Sequence, residues 1–298
     1  MPKPPSIPGV QRGWSANQTD HGVLPTGFKQ IDEQLLLRPD GQPYGGLPWG
    51  GAYELWGPQE SGKSLLCYHI AVQAQAAGHT VCWVDAENRF ALGAGAAYVQ
   101  DLGLDMSPEK FLLITPEDHS GWYVLEDVFS TIYRVIEAQV ARLIVIDSVA
   151  ALVPRIDLEV FLETYKAKAR DGTPKETEFA SAQRGAFASA LQRALRIIVP
   201  PAHLRGVSVL YVNHCKHNPQ MYGQDYPPGG TAKDHLLNAS FYLKRKSRDL
   251  DTGEIECELR VHKCNLAPCS GRKTGEKGIP NLMLRTKGAS DGSDPGSV

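Results

Sequence analysis

Five short apolar runs mark out the chain: AYELW (52–56), TVCWVDA (80–86), FLLIT (111–115), RLIVIDS (142–148) and GVSVLYVN (206–213). None alternates cleanly between apolar and polar residues, so each predicts a strand buried on both faces. Helical patterns alternate with several of them. SLLCYHIAVQAQAAG (64–78) ends in Gly78, a natural C-terminal stop. LEDVFSTIYRVIEAQV (125–140) places Leu125, Val128, Phe129, Ile132 and Ile136 at helical spacing. Strand-helix alternation of this kind predicts an α/β protein with a mostly parallel, twisted sheet covered by helices on both faces. Beyond Ala239 the pattern changes. FYLKRK, the turn residues DLDTGE and then IECELRVHK predict a C-terminal β-hairpin with Ile255, Cys257, Leu259 and Val261 on one face.

The stretch NHCKHNPQMYGQDYPPGG (213–230) has neither period, and a loop of that length in a compact domain is usually functional or disordered. At the ends, residues 1–21 are expected to form an extended arm rich in Pro, Gly and Asn, and residues 288–298 a disordered tail, leaving 22–287 as the core. With 298 residues, 42% of them hydrophobic, the chain can fill a substantial core. Six cysteines lack paired close spacing, and MPKPPSIPGV has prolines where a leader's apolar core would stand, so a reducing, cytoplasmic setting is expected. No apolar run approaches the roughly 18 residues a membrane span needs.

The net charge of −2 gives no global field for nucleic acid. Residues 243–287 nevertheless carry eleven Lys or Arg against six Asp or Glu, densest in LKRKSR (243–248), which taken alone reads as a solvated face. Cys257, His262, Cys264 and Cys269 cluster in sequence, but strand alternation turns Cys257 away from His262 and Cys264, so plain thiols are expected rather than zinc ligands.

The most specific motif is GPQESGKS (57–64), which matches G-x-x-x-x-G-K-[ST] and sits between a strand-like and a helix-like segment. In that context Gly57, Pro58, Gln59, Glu60, Ser61, Gly62, Lys63, Ser64 and Leu65 are expected to wrap the phosphates of ATP. Backbone N–H groups and the positive helix end would face the oxygens. Lys63 would reach the β- and γ-phosphates, and the Ser64 hydroxyl would hold Mg²⁺. Asp147, closing the strand RLIVIDS, is placed to contact the same ion. VDAEN ends another strand, and either Glu87 or Asp85 would accept a proton from the attacking water. Spacing alone does not choose between them.

Together GPQESGKS, WVDAEN and LIVIDSVAALVPR resemble the RecA superfamily of recombinases, and the bacterial RecA ATPase core most closely. The lead-in PTGFKQIDEQLL followed by GGLPWGGAYELWG is similar too. The resemblance covers about residues 22–285. It implies a RecA-like P-loop NTPase core, a DNA-dependent ATPase, and a role in homologous pairing, strand exchange or annealing. The expected partners are single-stranded DNA, homologous double-stranded DNA and other copies of the chain in a filament or ring. It favours Glu87 as the general base and places Tyr98 against adenine.

The resemblance also gives the 213–230 tract a role. In the family a strand ending in Asn runs into a loop that binds single-stranded DNA and closes with Gly-Gly; the closing GGTAKDH is similar to archaeal and eukaryotic recombinases. Lys216 would neutralise a phosphate, Met221 and Tyr222 would pack against bases, and Gly229 and Gly230 would allow close backbone approach. A second DNA-contacting loop is implied after Arg155, where Lys166, Lys168 and Arg170 would share one side if extended. Departures exist. His214 stands where bacterial RecA has a glutamine sensing the γ-phosphate, and an imidazole can change charge near neutral pH. Of two lysines that reach a neighbour's ATP, only Lys263 is retained. A ring-forming motor related to helicases and a regulatory ATPase that binds protein are the alternative readings.

Overall fold

All of the apolar runs enter one eight-stranded sheet. The computed structural model describes residues 20–90, 94–115, 121–171, 185–218, 224–276 and 278–285. In chain order, a small ladder of β1 (Val23–Leu24) and β2 (Leu47–Pro48) precedes β3 (Ala52–Trp56), α1 (Lys63–Ala76), β4 (Val81–Asp85), α2 (Ala94–Asp101) and β5 (Phe111–Ile114). There follow α3 (Leu125–Ala138), β6 (Leu143–Asp147), α4 (Arg155–Asp171), α5 (Ala186–Arg205) and β7 (Ser208–Asn213). A separate hairpin of β8 (Lys216–Asn218) and β9 (Gln224–Tyr226) leads to β10 (Ala239–Arg248), β11 (Ile255–Cys264) and β12 (Leu282–Leu284).

The sheet order is β12-β11-β10-β3-β7-β6-β4-β5. From β10 to β5 every pairing is parallel, and β10-β11-β12 is antiparallel. Every residue of β3, β4, β6 and β7 is buried, which explains why these strands lack alternation: both faces are covered, so neither selects polar side chains. One apolar cluster packs α1 against one face, through Leu66, Ile70 and Ala74. The other face carries α3 and α5, through Ile132, Ile136, Leu191, Leu195 and Ile198. All five residues expected on the inner face of α3 are buried. In β11, Ile255, Cys257, Leu259 and Val261 are buried as the hairpin pattern predicts. Among the described residues no helix is long and apolar enough to cross a membrane.

The structure corrects two expectations. The 213–230 tract is partly regular, because β8 and β9 pair as a short antiparallel hairpin with Lys216 opposite Tyr226. The segment after Arg155 begins as α4, which includes Lys166, Lys168 and Arg170, so they are not extended there.

Candidate functional site

The loop from β3 to α1 is shaped by what lies behind it. A Cβ on Gly57 would stand 2.1 Å from the Leu243 carbonyl oxygen of β10, and one on Gly62 2.7 Å from Leu284 Cδ1 of β12. Backbone blocks any side chain at 57, and at 62 the left-handed φ of 90° adds strain to any other residue. Cys257 Sγ of β11 donates to the Ser61 carbonyl at 3.3 Å, so the antiparallel wing braces the loop. Glu60, at a left-handed φ of 56°, accepts a hydrogen bond from Arg245 Nη1 at 3.3 Å.

Lys63 opens α1 and is buried. Its ammonium donates to the carbonyls of Gly57 and Pro58 at 3.1 and 2.6 Å. Burial pulls its pKa below the ordinary lysine value, opposed by the nearby Asp147 and Glu87 charges. The positive charge therefore sits at the N-terminal end of a helix with the loop folded around it. That combination suits a polyphosphate.

Asp147 ends β6 at 1% exposure, in register with Asp85 of β4. Neither of its carboxylate oxygens has a partner of hydrogen-bond geometry. Burial raises its pKa, and the neighbouring Ser64 hydroxyl and Arg89 partly offset that. With the Ser64 hydroxyl its one nearby donor and not in good hydrogen-bond geometry, a carboxylate this buried is a costly arrangement unless a cation completes it. Ser64 and Asp147 thus have the chemistry that would fit a Mg²⁺ ion. Among the described residues there is no group of three or more His, Cys, Asp or Glu that could hold a metal ion.

Asp85 and Glu87 divide their work. Asp85 Oδ1 and Oδ2 accept the backbone N–H groups of Arg89 and Phe90 at 2.9 and 2.7 Å, which holds the turn after β4. Glu87 instead faces the end of the sheet. Its Oε1 accepts from Ser148 Oγ at 2.8 Å and lies 3.4 Å from His214 Nε2, while its Oε2 accepts from Arg89 Nη2 at 2.8 Å. His214 Nε2 is also 3.3 Å from Ser148 Oγ. The His214 contact is the largest cause holding the Glu87 carboxyl far below the usual carboxylate range; burial opposes it, and Arg89 and Ser148 assist. Ser148 and Arg89 were not recognised in the sequence. Ser148 follows Asp147 directly, yet nothing in its spacing says that it would meet a residue of another strand end.

Other expected residues lie further out. Tyr98 of α2 is half-buried, its ring 6.4 Å from that of Tyr68 of α1 in an edge-on arrangement, with Arg248 close enough to lower a pKa that burial raises. Lys263 pairs with Ser240 across β10 and β11, two strands away from β3, and is not brought to its own chain's Lys63. Lys216 is exposed, whereas Gly229 is buried and Gly230 exposed. Met221 and Tyr222 lie outside the described residues.

A family model for the RecA N-terminal domain matches residues 15–268. Among curated proteins, the chain is 29% identical to Protein RecA of Chloroherpeton thalassium over 251 residues, covering 83% of this chain and 60% of that one. It is 32% identical to Protein RecA of Mycoplasma genitalium over 225 residues, 75% of this chain and 56% of that one. Against Protein RecA of Caulobacter sp. the identity is 30% over 230 residues, again 75% and 56%. The chain spans about three fifths of the length of the curated relatives it matches.

Proposed function

Because the chain belongs to the RecA family, we propose that it is an ATP-dependent, single-stranded-DNA-binding recombinase that promotes homologous pairing, strand exchange or annealing in recombination and repair. The observation that carries this reading is a loop-wrapped Lys63 within the field of a buried Asp147 whose oxygens have no hydrogen-bond partner of good geometry, beside Glu87, which faces the same strand ends.

In this reading the loop residues 57–65 wrap the triphosphate, and Lys63 turns its ammonium from the loop carbonyls to the β- and γ-phosphate oxygens. Ser64 and Asp147 would hold Mg²⁺, which would supply charge neutralisation for the phosphates. Tyr98 packs on the adenine. Glu87 positions the attacking water and accepts its proton. As the side chain stands, His214, Ser148 and Arg89 hold its charge so firmly that it is a weak proton acceptor. It therefore orients water first and becomes an effective base once those contacts loosen. His214 joins Glu87 to the start of the 213–230 tract, so rearrangement there and loosening of Glu87 go together. Lys216 and the tract around it grip single-stranded DNA near a filament or ring axis. Lys263, two strands from its own phosphate loop, serves a neighbouring subunit's ATP. A cytoplasmic location belongs to the same reading.

Electron microscopy with single-stranded DNA and a non-hydrolysable ATP analogue tests this. Ordered filaments are expected for the wild type and none for Lys63→Ala, whose nucleotide affinity is expected to drop about tenfold or more through loss of charged hydrogen bonds. Closed rings would favour a motor. Nucleotide binding with no response to unpaired DNA would reduce the reading to a generic ATPase.

A further inference from the structure

Both stems of the 213–230 tract meet on one buried carboxylate. Glu54 of β3 is 0% exposed and stands just ahead of the phosphate loop. Its Oε1 accepts from Asn213 Nδ2 at 2.9 Å, and its Oε2 from Lys233 Nζ and Ser240 Oγ at 2.8 and 2.9 Å. Asn213 ends β7, where the tract begins. Its amide also donates to the Pro228 carbonyl at 2.8 Å, near the tract's other end, while its Oδ1 accepts the His214 N–H at 2.9 Å. Lys233 lies in the turn of 3-10 helix Thr231–His235, directly after Gly229 and Gly230, and is itself 0% exposed. Its ammonium also donates to Asp234 Oδ1 at 3.1 Å.

Taking a lysine and a glutamate out of water is costly, and an apolar pair of similar volume often holds a core as well or better. Stability alone therefore gives no reason for charge here. A charged pair adds a single permitted register, because either member displaced is left buried and unpaired. From the opposite side, His214 Nε2 lies 3.4 Å from Glu87 Oε1. A continuous series of contacts thus runs from Glu87 through His214, Asn213 and Glu54 to Lys233.

We propose that Glu54 and Lys233 form a clamp that fixes both stems of the tract against the strand carrying the phosphate loop, so that rearrangement at Glu87 and His214 changes the tract's grip on DNA. Glu54, Asn213 and Lys233 are positioning residues that touch neither nucleotide nor DNA. The clamp rests on the DNA-binding reading of the tract.

The full chain is compared with Lys233→Met and with the double variant Glu54→Gln/Lys233→Met, which leaves neither member of the pair charged and carries the test if the single variant does not fold. Three quantities are measured: the thermal melt, affinity for a fluorescent ATP analogue, and affinity for labelled oligo(dT) with and without non-hydrolysable nucleotide. In the wild type, nucleotide is expected to raise DNA affinity by a factor on the order of 5–150. In the folded double variant nucleotide affinity is expected to stay within about twofold, while that gain falls below about twofold. An undiminished gain overturns the clamp. So does a parallel loss of nucleotide and DNA affinity, which would report a merely structural pair. Absence of any nucleotide-dependent DNA affinity in the wild type removes the recombinase reading itself, and the clamp with it.

Discussion

Carboxylates in this protein sit in environments that push them apart. Glu87 is held ionised by the His214, Ser148 and Arg89 contacts, whereas Asp147 is pushed towards protonation by burial. In the proposed reading that division separates a water-positioning group from a cation ligand. Glu87→Gln keeps the shape and loses the charge, so it is expected to bind nucleotide like the wild type yet hydrolyse ATP at least about 100-fold more slowly, measured by phosphate release. The depressed Glu87 pKa also stabilises the fold above the ordinary carboxylate range, and that contribution is lost as pH falls towards its folded value. Asp32 has the opposite sign. Burial raises its pKa from 3.8 to about 6, against hydrogen bonds from the Thr26 hydroxyl and backbone. Its protonated form therefore favours the folded state below about pH 4, and that favour is lost as pH rises through about 6. Asp32→Asn is expected to remove a decline on the order of 1–2 kcal/mol between those limits, seen by comparing urea melts of variant and wild type across the interval.

At the scale of elements, α3 shows how a helical period becomes binding energy between layers. Ile132 is 0% exposed in the cluster beneath α3 and α5, and its neighbour Tyr133 is 39% exposed. Ile132→Ala is expected to destabilise the protein by about 2–5 kcal/mol, because it leaves a cavity between helix and sheet. Tyr133→Ala is expected to change stability by about 0.5 kcal/mol or less. Chemical denaturation of both variants checks the contrast, and equal effects would mean that α3 is seated differently. The phosphate loop depends on another element pair. With the Leu243 carbonyl 2.1 Å from a Cβ at position 57, Gly57→Ala must displace either the loop or β10. It is expected to lose nucleotide binding more than fold stability, as measured by titration with a fluorescent ATP analogue alongside a thermal melt.

For the whole molecule, a net charge of −2 means that the proposed DNA affinity would come from a local surface and not from the overall field. Each phosphate neutralised is expected to add about 0.7 to the slope of log affinity against log salt on single strands. Lys216→Ala should reduce that slope by about one such increment, and an unchanged slope would remove Lys216 from the interface. Much of the architecture was already readable along the chain. Apolar runs without alternation mark strands covered on both faces, the spacing from Leu125 to Ile136 marks one helix face, and the GPQESGKS spacing marks a phosphate loop. These features are local, since each depends on residues a few positions apart whose side chains share a face or a turn. The pairings that complete the site are not local. Glu54 meets Asn213, Lys233 and Ser240 across sequence separations of 159, 179 and 186 residues, because β10, β3 and β7 are neighbours in the sheet. The choice between Asp85 and Glu87, the poorly partnered oxygens of Asp147 and the burial of Lys233 likewise depend on strand order, which no periodicity carries. The sequence by itself determined the layers and the phosphate loop. Which charges face one another, and which are shut away from water, was decided only when the strands took their places.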